Sequence, residues 1–195
     1  MKVQIISDIH GSASLLKRTL DCERNADLLI LCGDFLNHGP RNPLPEGWNT
    51  KECASLLNEQ KKRVISVRGN CDSEVDQMML TFPCLNAYTN LFFPQADTSI
   101  LNGRIFIHHG HLYKRSELKE LLPTGTLVIS GHTHISLLEE EDGLIFFNPG
   151  SISLPKCENG RTYGLLEITP DGIKKITLIS LEPNTTQPQI KSMTF

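Results

Sequence analysis

Five times in this chain a short apolar run ends in metal-capable side chains beside or near a glycine. Val3–Ser7 runs into Asp8-Ile9-His10, Leu28–Cys32 into Gly33-Asp34, and Val64–Val67, past Arg68, into Gly69-Asn70. Ile105–Ile107 then leads into His108-His109-Gly110-His111, and Leu127–Ser130 into Gly131-His132-Thr133-His134. Runs of this length read as strands buried on both faces. Strand ends in an α/β fold collect along one edge, where ligands bind. In extended chain, residues two apart share a face, so Asp8 and His10 are expected to reach one centre, as are His132 and His134. Taken singly, each residue has a simpler use: Asp8 as a helix cap, Asp34 or Asn70 as a turn acceptor, His109 as a core or surface histidine. All of them together, in the same strand-end setting, point to one site.

The chemistry of that set is informative. Burying Asp8, Asp34 and several imidazoles without counter-charge costs several kcal/mol per charged group, on the order of what a bound divalent cation cancels. Two carboxylates, one amide and four imidazoles (Asp8, Asp34, Asn70, His10, His109, His132, His134) suit Mn²⁺, Fe²⁺, Zn²⁺ or Co²⁺. Seven ligands are too many for one ion. They fit two ions sharing a carboxylate and a water, the arrangement used for in-line displacement at phosphorus.

The remaining chain sets the frame. Its 195 residues suffice for one domain with an adequate core, without disulfides or structural metal; we read that domain as 1–182, followed by a polar, frayed tail at 183–195. Six scattered cysteines and a formal charge of −3 predict a reducing, cytoplasmic setting and argue against nucleic-acid polymers as partners. The opening apolar run is too short for a signal sequence, and no stretch reaches the roughly 20 apolar residues a membrane span requires.

Strands alternating with helices in the first 70 residues predict a parallel sheet covered by helices. One helix opens after Gly11, with Leu15, Leu16, Thr19 and Leu20 on one face and Ser12 or Ser14 as cap. Residues 35–50 form a long structureless insertion, and a helix over 51–60 follows. A further helix over 73–80 is expected to bury Val75, Met78 and Met79, and another lies near 116–122. Leu91–Phe93, Ile135–Leu138 and Leu144–Phe147 read as strands, with Glu139–Gly143 as a solvated hairpin tip. Thr162–Ile168 and Ile173–Leu181 form a second hairpin.

In order, Asp8-x-His10, Gly33-Asp34, Gly69-Asn70-Cys71-Asp72, His109-Gly110 and Gly131-His132-x-His134 resemble the calcineurin-like metallophosphoesterase superfamily. The segments 37–42, 67–78 and 148–151 resemble its YfcE-like bacterial phosphodiesterase branch. The resemblance implies a four-layer α/β/β/α sandwich and two divalent ions, Mn²⁺ first, with Zn²⁺, Fe²⁺, Ni²⁺ or Co²⁺ as alternatives. Asp8, His10 and His134 would hold one ion, Asn70, His109 and His132 the other, and Asp34 would bridge them.

The implied reaction is hydrolysis of a small phosphodiester by a water or hydroxide bridging the ions. The alternatives are a phosphomonoesterase or nucleotide phosphatase, and a catalytically weak protein-binding scaffold. A homo-oligomer, dimer or tetramer, is likewise implied. Many members carry histidine after Gly-Asn; here that residue is Cys71, a poorer acid than imidazole at neutral pH. His111 and His38 are the candidate substitutes. Arg41 is the candidate grip on phosphoryl charge, and Trp48 and Phe35 are expected to shape a leaving-group pocket.

Overall fold

The computed structural model describes residues 1–97, 100–182 and 189–195. Three parallel strands, β1 (Lys2–Ile6), β2 (Leu28–Leu31) and β3 (Val64–Ser66), lie side by side in a six-stranded sheet. Its other half is antiparallel: β9 (Thr162–Thr169) against β1, β10 (Gly172–Ser180) against β9, and β11 (Gln189–Thr194) at the edge. The second sheet has five strands. At its centre β5 (Arg104–His108), β6 (Leu127–Ile129) and β8 (Leu144–Asn148) run parallel. Antiparallel β4 (Tyr88–Phe92) and β7 (Leu137–Glu141) flank them.

Period-two alternation explains the stacking. Val3 and Ile5, Ile105 and Ile107, Leu127 and Ile129, and Ile145 and Phe147 meet in a core between the sheets. Their neighbours face outward. Ile6, Leu29 and Leu31 pack under α1 (Ala13–Cys22) and α2 (Thr50–Glu59), while Phe106, Val128 and Phe146 pack under α4 (Arg115–Leu121). The result is helix, sheet, sheet, helix: the four-layer sandwich.

Five expectations are corrected, four in the elements and one, Phe35, in the insertion. Helix α3 (Glu74–Met79) leaves Val75, Met78 and Met79 exposed, at 66%, 83% and 45%. Its inward residue is Asp76, which accepts from the Ser73 amide and hydroxyl at 2.7 and 2.8 Å. Periodicity identifies which residues share a helix face, not which face the protein covers. Ser12 stands at the N-cap of α1, but its hydroxyl bonds the Glu46 carbonyl instead of a helix amide. In the segment read as a frayed tail, Gln189–Thr194 pairs with β10. The acidic hairpin is tighter than expected. The three glutamates belong to β7, and the turn is Asp142-Gly143 alone, both left-handed, the backbone a two-residue type I′ connection requires. Glu139, Glu141 and Asp142 pair with Arg115 and Lys119 of α4.

The insertion runs without helix or strand from 35 to 49. It is docked at both ends: Gly11 N donates to Phe35 O at 2.9 Å, and Asn49 N donates to Gly11 O at 2.8 Å. Phe35 is fully buried against Phe82, ring centroids 6.4 Å apart, so it belongs to the core and not to a pocket.

Candidate metal centre

The parallel strands of both sheets end at one edge, and the loops leaving them touch across the sandwich. His109, at the end of β5, places Nδ1 2.6 Å from the carbonyl oxygen of Cys32, after β2. Such closeness depends on missing side chains. A Cβ on Gly131 would run into the Ser7 hydroxyl and the Asp8 carboxylate, and one on Gly33 would lie 2.5 Å from the Gly69 amide.

Extended backbone is not what aims the side chains. Asp8, His10, Asp34, His132 and His134 all have positive φ, from 51° to 69°. Among the described residues only Asp142 shares this among non-glycines. Left-handed geometry costs on the order of 1 kcal/mol at such residues, and it concentrates where function demands it. The i, i+2 rule therefore named Asp8 and His10 as a pair for the wrong reason, a left-handed turn at each bringing them together, while His132 and His134 diverge, His134 toward Asp8 and His10 and His132 toward Asn70.

Asp8 is fully buried. Its Oδ2 accepts from Ser7 Oγ at 2.6 Å and from the His132 amide at 3.0 Å. Its Oδ1 has no hydrogen-bond partner among the described residues, and lies 3.3 Å from His134 Nε2 and 3.8 Å from His10 Nε2. Those two imidazole nitrogens are 3.2 Å apart. Each ring is held from behind, His10 Nδ1 at 2.8 Å from Asn37 O and His134 Nδ1 at 2.6 Å from Leu154 O. A carbonyl only accepts, so Nδ1 carries the proton and Nε2 presents its lone pair, as in metal-bound imidazoles. His109 is set in the same way by Cys32.

Asp34 Oδ2 lies 3.7 Å from His10 Nε2 and 3.6 Å from His109 Nε2, so it stands between two groups of ligand atoms. On the far side Asn70 Oδ1 is 3.2 Å from His109 Nε2 and 2.7 Å from His132 Nδ1. Three donor sets come within 4.8 Å of mutual contact: Asp8, His10 and His134; Asp8, Asp34 and His109; and His10, Asp34 and Cys71. The donor chemistry fits divalent cations. A partnerless buried carboxylate oxygen and imidazole lone pairs pointed at one another are costly unless a cation separates them.

The electrostatics carry the same message. Burial pushes Asp34 up, but the close His109 imidazole and its charge hold it well below the ordinary carboxylate range. Burial pulls His109 down, and the neighbouring Asp34 and Asp8 carboxylates raise it to about 9. In the absence of metal a proton thus takes the cation's role. Burial pushes the Cys71 thiol up to about 12, reinforced by Asp34, so it is neutral.

Asp72 supports the centre from below. Its carboxylate accepts from the amides of Asp34 (2.8 Å), Phe35 (2.8 Å) and Gly69 (2.6 Å). Burial and the Asp34 charge push it up to about 7, yet three donors facing it favour the ionised form. Sequence reasoning missed Ser151 and Ser153, whose hydroxyls both bond the Asp8 carbonyl, at 2.7 and 3.0 Å. The Asn148-Pro149-Gly150-Ser151 motif was the available signal.

The other candidates are divided. Arg41 borders the open cleft beside Asp34, Asn70, Cys71, His132 and His134, and Lys156 joins it there unforeseen. His111 lies edge-on to His109 and tilted against His132, centroids 5.3 and 6.0 Å away. His38 faces a neighbouring cleft, edge-on to Trp48 at 6.1 Å.

The profile of the calcineurin-like phosphoesterase superfamily domain matches residues 1–171. The chain belongs to that superfamily. Phosphodiesterase YfcE of Escherichia coli K12 is 44% identical over 169 residues, 86% of this chain and 88% of that one. Phosphodiesterase MJ0936 of Methanocaldococcus jannaschii is 28% identical over 77% and 83%. The solved structure of the E. coli phosphoesterase YfcE superposes with TM-score 0.84 at 37% identity, covering 100% of this chain and 99% of that one. A Vps29 from Entamoeba histolytica complexed with zinc has TM-score 0.63 at 22% identity, a likeness of fold alone. As a superfamily member with this site, the chain is a metal-dependent phosphoesterase.

Proposed function

We propose that this chain is a phosphodiesterase of small diesters, with Mn²⁺ as activating metal. Asp8, His10 and His134 would hold one cation, Asn70, His109 and His132 the other, and Asp34 would face both. The observation that carries this is Asp34 Oδ2, near-equidistant from His10 and His109, 3.7 and 3.6 Å. A cation pair bound there supplies positive charge for the phosphoryl oxygens and an acidified water, so no side-chain nucleophile is needed.

The chain's own groups do the rest. Backbone carbonyls of Asn37, Cys32 and Leu154 keep the imidazoles in the ligating tautomer. Arg41 and Lys156 border the cleft and offset the diester's negative charge, Arg41 through its paired donors. Cys71, neutral and half-buried beside Asp34, is a weak proton donor, which favours diesters with good leaving groups over monoesters. His111 is the nearest imidazole left over to help, and His38 is a remoter candidate.

The reading includes a reducing, cytoplasmic setting, supported by six free cysteines. Among the described residues no helix is long and apolar enough to cross a membrane. It also includes a homo-oligomer, dimer or tetramer, supported by the exposed apolar face of α3. Mn²⁺-loaded protein is expected to hydrolyse bis(4-nitrophenyl) phosphate, with at least ~100-fold loss in His134→Ala and Asp34→Asn. Full activity in EDTA, or in both variants, overturns it.

A further inference from the structure

A second cleft of about 530 Å³ opens on the other flank of the centre, within the size range of small-molecule sites. Thr133 borders both clefts, and His111 and Gly131 join this one to the metal-facing loops. Its lining includes His108, Tyr113 and Phe146, the Phe146 ring lying under the Arg115 guanidinium at 4.7 Å, together with the charged Lys114 and Glu117. His108 and Tyr113 stand at 60° with centroids 5.9 Å apart. Two aliphatic side chains at the same cleft, Leu112 and Ile135, are 53% and 47% exposed. His108 is buried, and its Nδ1 has no hydrogen-bond partner among the described residues.

We propose that this cleft receives an aromatic ester group of the phosphodiester while the phosphoryl group lies at the metal centre. The inference rests on the phosphodiesterase reading and adds the class of substituent. Aromatic walls favour a planar ring through stacked or edge-on contact, and a bulky ring buries more apolar area there than a short alkyl group. Leu112 and Ile135 would be covered by it, which accounts for apolar surface left open beside a polar centre.

The experiment compares two inhibitors of bis(4-nitrophenyl) phosphate hydrolysis, 1-naphthyl methylphosphonate and ethyl methylphosphonate. They share the charged group and differ in the substituent. The naphthyl compound is expected to have an inhibition constant at least about tenfold lower, from the extra apolar area buried. That ratio should fall toward one in Tyr113→Ala and in Ile135→Asp; the latter changes an exposed side chain and leaves the core alone. In Zn²⁺-loaded protein, the naphthyl compound alone should shift the His108 ring resonances. Equal constants for the two inhibitors would overturn the proposal while the phosphodiesterase reading stands. So would a naphthyl preference that survives both variants and disappears in Trp48→Ala, which would put the ring in the cleft beside His38. Absence of any hydrolysis overturns the phosphodiesterase reading itself, and the resonance shifts still report on the cleft.

Discussion

Asp72 offers the sharpest test of how the centre is built. It is 2% exposed, and its carboxylate accepts three backbone N–H groups: Asp34 and Gly69 at Oδ2, Phe35 at Oδ1. Those amides belong to the two loops that carry Asp34 and Asn70, so one side chain sets their separation. Asp72→Ala orphans three buried donors, each costing about 1–3 kcal/mol. Water entering the small void recovers part of this, so a loss of about 3–5 kcal/mol is expected. Asp72→Asn keeps the shape, but at least one donor must face the amide NH₂, and an intermediate loss of about 1–3 kcal/mol follows. Displacement of Asp34 should also weaken cation binding by about 10–100-fold, the usual effect of losing a group that orients ligands. Urea denaturation in EDTA reads the first effect, and Mn²⁺ titration of activity reads the second. If Asp72→Ala costs under about 1 kcal/mol, or if the asparagine variant is as damaged as the alanine one, the three-donor account is wrong.

Three further outcomes follow from the same geometry. With His109 raised to about 9 in metal-free protein, cation loading at pH 7.5 should expel about one proton. Calorimetric heats of Mn²⁺ binding would then differ between buffers of different ionisation enthalpy, and equal heats would refute it. The sign for stability follows: a raised histidine stabilises fully below its unfolded pKa, near 6.5, and that contribution is lost as pH rises through about 9. Metal-free protein should therefore weaken between pH 7.5 and 9.5, above the range where the lowered histidines His10, His111 and His132 titrate; a flat profile counts against it. Cys71→His is expected to raise monoester relative to diester hydrolysis by at least about tenfold, the low side of what a positioned acid contributes. An unchanged ratio of the two rates would show that this position does not select the ester.

The amino-acid sequence by itself determined the central strands, their buried faces and the short list of metal-capable residues, but not the edge strand β11 or the bounds of β7. The former follow from local rules: apolar runs, period-two alternation, and donor types placed where strands end. The facing of two sheets was legible only through resemblance, because alternation says that a strand is covered and not by what. That Asp34 stands between His10 and His109 was likewise legible only through resemblance; physically it is tertiary, since residues far apart in the chain meet there through the Cys32–His109 contact. Tertiary structure alone decided the left-handed turns at five of the site residues, which local pattern read as extended chain. The strain is sustained by hydrogen bonds from distant segments, among them Ser151 and Ser153 on the Asp8 carbonyl and Asp72 on the Asp34 amide. Likewise, the apolar face of α3 and the aromatic cleft beside His111 are open because of what does not pack on them, which is a property of the whole assembly of elements and of no single segment.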